Sequence, residues 1–343
     1  MGYFTIWLEK YNSCRDGILK DLNAYKKQID EIRDRISKEE IILPLPESGR
    51  QYSGRMCFVD GGEGLRELMG AAIYFIKASA LLLDKKGPRY INEKFTRDID
   101  INILDYDGHV KDRVELLRGA MEFDVAMKCI EENKPEYIFL DGSLYVNSRI
   151  KPIECDEHTI YRKKFVRLLK LCKKEDIHLV GVSEDSKSKL LANYMGMRCN
   201  MKFPKFMTDS SILRMLAGNT RYRTIEFIPQ SRFESNGRLS SNLIASFPTA
   251  YIQPTPLSNP LRVDVPDWEH EFDKIIDVII DLSKGSRHYG YPLPLYMVHL
   301  DAKVESKQAD WSTKQLIHHI SSGDPTLRET ILNKKRRDLR PKL

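Results

Sequence analysis

The amino-acid sequence predicts an α/β fold, in which a mixed β-sheet is flanked by helices. Three observations support this prediction. Between residues 56 and 195, short apolar runs alternate with segments whose apolar residues recur at helical spacing. The 343 residues are 41% hydrophobic and 30% charged, a composition typical of a globular chain with a sizeable core. No run reaches the roughly 18 consecutive apolar residues of a membrane span, because Lys77 interrupts the longest one.

A long helix is predicted at the N-terminus, ending before Pro44 and Pro46. Its apolar residues alternate at spacings of four and three, with charged residues between them: Ile18, Leu22, Tyr25, Ile29, Ile32 and Ile36. This narrow seam packs against one partner helix, either from a second copy or from the same chain. We expect self-association, and we interpret residues 1–46 as a dimerisation helix and linker.

Residues 47–200 contain the elements of the predicted core. In order they are strands at Met56–Asp60, Leu68–Leu83 (one or two strands) and Ile99–Tyr106, a helix at Asp112–Glu132, a strand at Tyr137–Asp141, a helix at Thr159–Lys174, a strand at His178–Val182 and a helix at Ser186–Met195. Three strands followed by alternating helices and strands, joined by right-handed crossovers, match a ribonuclease H-like fold. Such a fold does not by itself give the function.

The remainder of the chain is predicted to extend this core. An antiparallel addition to the sheet is predicted from strands at Arg223–Ile228, Ile244–Ile252 and Arg262–Val265. Helices are predicted at Asp209–Leu216, Trp268–Ser283 and Leu293–Val304. We therefore interpret residues 201–330 as a C-terminal extension of the core, and residues 331–343 as a basic tail.

Charge and cysteine usage exclude several classes of protein. The net charge is +6, and six basic residues with one acid lie between Lys334 and Lys342, so the body of the chain is nearly neutral. Only the tail offers a basic surface for nucleic acid, unless it is merely solvated. The six cysteines form no CxxC pair, which excludes zinc ribbons and thioredoxin-type chemistry. The segment Tyr3–Lys10 lacks the apolar core of a signal peptide, so we expect a cytoplasmic protein without a membrane partner.

Three acids stand at positions where a metal site is expected. Asp60 and Asp141 each end a predicted strand and precede a glycine, and burying a carboxylate is costly unless something compensates its charge. Two such residues in one sheet suggest a shared cation, although Asp-Gly is also a common turn. Glu115 lies in the first turn of the next helix, where an acid is also simply favourable. Together, the three acids can hold one or two divalent cations against a phosphodiester.

Four motifs resemble, in order, those of the NurA nuclease family. They are Phe58–Gly62, Arg113–Leu117, Phe139–Ser143 and Gly290-Tyr291-Pro292 through His299, and they span about residues 55–305. The chain departs from the family pattern at Gly62, where a small hydroxyl residue is usual. The resemblance implies a ribonuclease H-like core that binds Mn²⁺, with Mg²⁺ as the alternative ion.

The resemblance also implies the residues and the activity. Asp60, Glu115 and Asp141 match the acidic metal ligands, while His299 and Tyr291 match C-terminal active-site positions, His299 as a further metal ligand. Leu295, His299 and Ala302 share one helical stripe, which we expect to face inward. The implied protein is a homodimeric DNA-end nuclease of archaeal type. It would digest single- and double-stranded DNA from 5′ to 3′, cut single strands internally, and act in recombinational repair with a HerA-type hexameric ATPase.

Two other functions stay open at this point. Actin- and sugar-kinase-like proteins share the superfold and bind Mg-nucleotide at Asp-Gly turns, but Glu63 would repel phosphate there. A non-catalytic dimeric scaffold for an ATPase would use only the N-terminal helix. The chain has no GxxxxGK[ST] motif, so a translocating ATPase would have to be a separate partner. Asp301 and His288 are alternatives to His299 as the late ligand.

Overall fold

The computed structural model describes residues 2–45, 52–145, 155–184, 188–229, 246–285, 289–321 and 323–330. Within them the strands are β1 (Ile42–Pro44), β2 (Gly54–Glu67), β3 (Ala71–Lys86), β4 (Arg89–Asp105), β5 (Tyr137–Asp141), β6 (His178–Ser183), β7 (Tyr222–Thr224), β8 (Thr249–Gln253) and β9 (Leu261–Asp264). The helices are α1 (Tyr3–Ile36), α2 (Val110–Asn133), α3 (Asp156–Lys174), α4 (Leu190–Arg198), α5 (Asp209–Ala217), α6 (Phe272–Ser283), α7 (Leu293–Ala302), α8 (Ser306–Ser321) and α9 (Pro325–Thr330).

All described strands join one mixed sheet, in the order β1-β7-β8-β9-β6-β5-β2-β3-β4. Strands β2, β3 and β4 form an antiparallel meander, and β5 and β6 run parallel to β2. This is the strand arrangement of a ribonuclease H-like core, so the predicted fold class is confirmed. Strand β9 pairs antiparallel with β6, and β8, β7 and β1 follow it antiparallel. The predicted antiparallel addition is therefore confirmed too.

The alternating side chains of the central strands fill two separate cores, one on each face of the sheet. Met56 and Phe58 of β2 pack with α6 and α7 on one face. Cys57 and Val59 pack with α2 and α3 on the other face. Because side chains alternate along a strand, the next residue on the α7 face is Asp60. The sheet thus directs this carboxylate toward the C-terminal helices.

Strand β2 does not end at Asp60, as the sequence analysis expected, but continues to Glu67 in a long hairpin with β3. The glycines after Asp60 allow close packing instead of making a turn. A Cβ at Gly61 would clash with the Glu122 side chain on α2, and a Cβ at Gly62 would clash with the Ala302 carbonyl of α7. Glycine inside a strand often marks such an approach of other elements. The Asp-Gly turn interpretation of Asp60 is therefore wrong.

The two halves of the predicted seam on helix α1 differ in burial. Ile32 and Ile36 are buried against α4 and α5 of the same chain, whereas Ile18 and Leu22 are about half exposed. Thus only the second half of the seam finds its partner within the described chain. The helices α8 and α9 were not expected from the sequence. The tail 331–343 lies outside the described residues, as does His288.

No described helix has the length and apolar character that a membrane crossing requires. The six cysteines are free, and Cys57, Cys129 and Cys172 are buried, as expected for thiols that pack in a core.

Candidate metal centre

Two carboxylates meet where strands β2 and β5 run side by side. The parallel pairing ends at Val59 opposite Leu140, so Asp60 and Asp141 follow at the same level and point to the same face. Asp60 is only 4% exposed, and one of its oxygens accepts a hydrogen bond of 2.7 Å from the Gly61 amide. The sheet register therefore brings together two predicted ligands that are distant in sequence.

Helix α7 adds the predicted histidine. Its buried residues Leu295 and Val298 pack into the core on this face of the sheet. The Nδ1 atom of His299 lies 2.8 Å from Oδ2 of Asp60. One ligand atom each from Asp60, Asp141 and His299 lie within 4.8 Å of one another, close enough to share a cation. The His299 side chain is nevertheless 55% exposed, so the expectation that it faces inward is wrong.

Tyr291 lies beneath this cluster and is 2% exposed. Its hydroxyl is close enough to Asp141 to lower the pKa of that carboxyl, but the geometry is not that of a regular hydrogen bond to any described residue. Burial and the charge of Asp141 raise the pKa of the Tyr291 hydroxyl well above its usual range. Tyr291 is thus a protonated, buried donor beside the two carboxylates.

The described residues balance the negative charge of the cluster only in part. Burial and the neighbouring Asp60 carboxylate raise the pKa of Asp141 to about 7, with a smaller contribution of the same sign from Glu184. The Tyr291 hydroxyl and His299 lower it only in part. Neighbouring like charges disfavour the ionised form, and a bound cation removes that penalty.

Glu115 does not belong to the group of three ligands that the structure brings together. It is half-buried on α2, and burial raises its pKa. A second acid on the same helix, Glu122, is nearly fully buried, and its pKa is raised to about 7, first by burial and then by Asp60, Asp141 and Glu63. The sequence analysis missed Glu122 because acids are common along an amphipathic helix.

Arg118 is the cation next to Glu122. It bonds to the Glu122 carboxylate, to Glu63 at 3.2 Å and to the Gly61 carbonyl oxygen at 3.3 Å. Glu63 and Glu122 thus share Arg118, which lies one helical turn before Glu122 on α2. Because Gly61 faces α2 while Asp60 faces α7, Arg118 lies on the other side of β2 from His299.

Two further acids support the site without joining it. Asp301, an alternative ligand in the sequence analysis, accepts hydrogen bonds from the Ser79 hydroxyl at 2.6 Å and from Nε and Nη2 of Arg97, each at 2.7 Å. Ser79 is paired with Asp60 across β2 and β3, so these bonds tie the end of α7 to the sheet beside Asp60.

Asp264 on β9 is fully buried and holds the loop after Asp141. Its carboxylate accepts hydrogen bonds from the Ser143 hydroxyl at 2.9 Å, the Leu144 amide at 3.2 Å and the Thr249 hydroxyl at 2.9 Å. No sequence signal distinguished Asp264 from other residues at strand ends.

The donor set fits a divalent cation. Two carboxylates and one imidazole are the ligands that Mn²⁺ and later divalent metals accept, whereas carboxylates alone would suit Mg²⁺. A cation bound here would compensate the like charges of Asp60 and Asp141, which raise the pKa of Asp141 in its absence.

Comparisons with known proteins give the family. A model of the NurA domain matches residues 54–304. The DNA double-strand break repair nuclease NurA of Sulfolobus acidocaldarius is 25% identical over 317 residues, covering 86% of this chain and 90% of the relative. The protein of the same name from Sulfurisphaera tokodaii is 26% identical over 337 residues, covering 88% and 93%.

Solved structures show the same fold. The NurA nuclease from Sulfolobus solfataricus superposes with a TM-score of 0.66 at 20% identity and covers 94% of this chain and 98% of that chain. A NurA structure bound to dAMP and manganese has a TM-score of 0.55 at 15% identity, covering 89% and 97%. Because the domain model matches residues 54–304, which is well over half of the chain, the chain belongs to the NurA family.

Proposed function

We propose that this chain is a manganese-dependent DNA nuclease that acts in double-strand break repair. The observation that carries the proposal is the convergence of Asp60, Asp141 and His299, whose ligand atoms lie within 4.8 Å of one another. Relatives that match along most of the chain are named as nucleases of this kind, and one NurA structure holds manganese. A metal-dependent phosphodiesterase needs such a cluster, whereas a non-catalytic scaffold does not.

The chain's own residues prepare the site for this chemistry. Asp60, Asp141 and His299 would hold the ion, which when bound neutralises phosphate charge and activates water. Asp60 is fixed by the Gly61 amide on one oxygen and by His299 on the other. Tyr291 keeps its proton, and its proposed role is to donate a hydrogen bond to a phosphate oxygen. Asp141 would hold the ion in its deprotonated form, so its raised pKa would make ion binding depend on pH.

The role of Glu115 as a third acidic ligand stays a proposal, and Glu122 is its rival on α2. Arg118 bonds directly to the carboxylate of Glu122, so Glu122 already has a counter-charge within the protein. Glu115→Gln and Glu122→Gln should be compared in the same cleavage assay. Loss of Mn²⁺-dependent cleavage in only one of them assigns the third acid to that residue.

The test combines cleavage with metal binding. The wild-type chain and the variants Asp60→Asn, Asp141→Asn, His299→Ala and Tyr291→Phe are incubated with labelled DNA and increasing Mn²⁺, without ATP. Bound Mn²⁺ is measured separately from the decrease of the free-ion EPR signal. We expect cleavage by the wild type only, with weaker Mn²⁺ binding in the first three variants and unchanged binding in Tyr291→Phe.

Matched controls lie elsewhere in the fold. His178 pairs with Glu269 at the start of β6, and Tyr222 has a buried hydroxyl without a described partner in the core next to α4 and α5. His178→Ala and Tyr222→Phe should keep Mn²⁺-dependent cleavage. Full activity of His299→Ala would remove His299 from the site, and no cleavage by the wild-type chain would contradict the nuclease proposal.

The finer features of the activity are part of the same proposal. Digestion from 5′ to 3′ on single- and double-stranded DNA, with internal cleavage of single strands, is tested by comparing 5′- and 3′-labelled substrates. Partnership with a HerA-type hexameric ATPase is proposed from the family resemblance; since the sequence has no GxxxxGK[ST] motif, ATP-driven translocation would have to come from such a partner. It is tested by co-elution with that ATPase and by ATP-dependent stimulation of cleavage.

Homodimerisation is proposed through the first half of α1. There Phe4, Trp7 and Tyr11 are exposed and their rings stack, and Ile18 and Leu22 continue the apolar face. The paired change Ile18→Glu and Leu22→Glu should shift the mass in solution to that of a monomer. Met69→Glu, an equally exposed position in the β2–β3 hairpin, is the control. A dimer that survives the paired change would contradict this part of the proposal.

The division into segments 1–46, 47–200, 201–330 and 331–343 also stays a proposal, to be tested by limited proteolysis. A cytoplasmic location, which fits the proposed action on broken DNA, is tested by cell fractionation.

A further inference from the structure

Helix α7 has an exposed apolar face next to the metal centre. Leu295 and Val298 are buried, while Leu293, Tyr296 and Leu300 are 39%, 42% and 54% exposed. These three residues follow one another at helical spacing and therefore share one face. His299 precedes Leu300 on the same helix, so this apolar face lies next to a residue of the metal centre. A surface helix normally presents polar residues to water, which makes this face unusual.

An aromatic row connects this face to the carboxylates. The ring of Tyr296 meets the ring of Tyr289 edge to face, with centroids 6.1 Å apart. The ring of Tyr289, which is 49% exposed, lies 5.8 Å from that of Tyr291. The buried Tyr291 hydroxyl in turn adjoins Asp141. Three tyrosines thus lead from the surface to a residue of the metal centre.

We propose that Tyr289 and Tyr296 form a stacking platform for the unpaired bases of a single DNA strand whose phosphodiester lies at the metal centre. This inference rests on the proposed nuclease function and deepens it by naming how the substrate strand is held. Duplex DNA hides the faces of its bases in the helical stack, so the platform takes single-stranded ends. Stacking is tolerant of sequence, because every base has a π-face.

The charge of the site explains why such a platform is needed. Asp60, Asp141 and Glu184 make the metal centre acidic, and acidic groups repel the phosphates of DNA. A bound ion would offset this repulsion for the phosphate that it contacts, and contacts that do not depend on charge would add affinity for the neighbouring nucleotides. Base stacking on tyrosine provides them, at about 1–3 kcal/mol per base, or roughly 5- to 150-fold in affinity.

The experiment compares intact and abasic substrates. Single-stranded oligonucleotides with normal bases, or with two abasic residues at the 5′ or the 3′ end, are cleaved in Mn²⁺ by the wild type, Tyr289→Ala, Tyr296→Ala and Tyr296→Phe. For the intact strand we expect KM to rise at least fivefold in each alanine variant, with kcat changed less than KM. Tyr296→Phe, which keeps the ring, should restore a low KM.

The abasic substrates distinguish stacking from a general loss of binding. One of them should have a raised KM with the wild type, and the alanine variants should no longer discriminate it from the intact strand. Tyr90→Ala, a 44% exposed tyrosine on β4, serves as the control and should leave KM unchanged. Mn²⁺ binding measured by EPR should be the same in all of these variants.

Three results would overturn the platform. Wild-type KM in both alanine variants would exclude Tyr289 and Tyr296 from substrate binding while leaving the nuclease function intact. Equal losses on intact and abasic strands would show that the rings do not contact bases. A change of mass in solution caused by Tyr296→Ala would show that a second copy covers this face. Absence of cleavage by the wild type would instead overturn the proposed function, and the platform with it.

Discussion

Two carboxylates buried against the same sheet differ in how the protein treats their charge. Asp281 on α6 bonds to Lys85 of β3 and, at 3.0 Å, to Lys284, and it also accepts a hydrogen bond of 3.4 Å from the Tyr52 amide. Although burial alone would raise its pKa, these lysines lower it below the usual value. Among the described residues no lysine bonds to Asp141, and its pKa is raised to about 7.

The difference separates a structural carboxylate from a functional one. Lys85 pairs across the hairpin with Gly54, at the start of the strand that carries Asp60, so the Asp281 ion pair fastens α6 to the sheet. There the protein neutralises the charge permanently. At Asp60 and Asp141 it places two like charges together, and we propose that a bound ion compensates them. Mutations at the two places should therefore have opposite consequences.

The largest effect is expected at the metal centre. Asp60→Asn and Asp141→Asn should each lower Mn²⁺-dependent cleavage by about 10³-fold or more, because each removes a ligand of the activating ion. Circular dichroism and thermal unfolding should show a folded protein, since the change also removes like-charge repulsion. Activity within a few-fold of wild type in either variant would place the reactive centre elsewhere.

The opposite pattern is expected for the structural carboxylate. Asp281→Asn leaves Lys85 buried without its counter-charge, and breaking a buried pair typically destabilises a protein by about 3–5 kcal/mol. Denaturant unfolding measures this loss. The folded fraction should keep wild-type kcat and Mn²⁺ affinity, because Asp281 does not touch the metal centre. A stable Asp281→Asn variant with impaired cleavage would contradict the comparison.

The pH dependence of the stability of the metal-free protein is expected to differ between Asp141 and Asp281 as well. The unfolded chain loses the Asp141 proton near its ordinary value of 3.8, whereas the folded chain keeps it until about 7. Between these values the folded state binds more protons, so the contribution of Asp141 to stability falls as the pH rises. Asp141→Asn should therefore stabilise the metal-free protein at pH 7.5, and less so at pH 4.

The measurement is thermal unfolding of both proteins across this pH range in the presence of a chelator. Because burial and neighbouring charges also raise the pKa of Glu122 to about 7, the difference between wild type and Asp141→Asn is the informative quantity. For Asp281 the sign reverses: its lowered pKa gives stability that is present above the unfolded value and lost in acid. An Asp141→Asn advantage that grows toward low pH would refute the assignment.

The smallest effect is expected at Asp301, which resembles Asp281 in being paired but lies beside the metal centre. Its partner Arg97 has a 56% exposed side chain, so solvent weakens the ion pair to below about 1 kcal/mol. Asp301→Asn should lower kcat less than about fivefold and leave Mn²⁺ affinity unchanged. A strong loss of Mn²⁺ binding, measured by EPR, would instead make Asp301 a metal ligand.

Much of the fold could be predicted from the sequence because it depends on local patterns. The periodicity of apolar residues located α2, α3 and β6 to within a few residues, and the order of elements gave the ribonuclease H-like arrangement. It also singled out Asp60 and Asp141 as candidate ligands, since each follows an apolar run and an acid is unusual there. The seam of α1 was visible as well, but its pattern cannot distinguish a partner within the chain from one outside it.

What only the tertiary structure decided depends on contacts between distant segments. His299 reaches Asp60 across 239 residues of sequence, and its helical stripe alone predicted the wrong exposure. The glycines after Asp60 looked like a turn because their neighbours, Glu122 and Ala302, come from other helices. The sequence by itself determined which residues carry charge and which elements carry those residues. Packing decided which charges are neutralised, because the energy of a buried carboxylate depends on the groups that surround it in space.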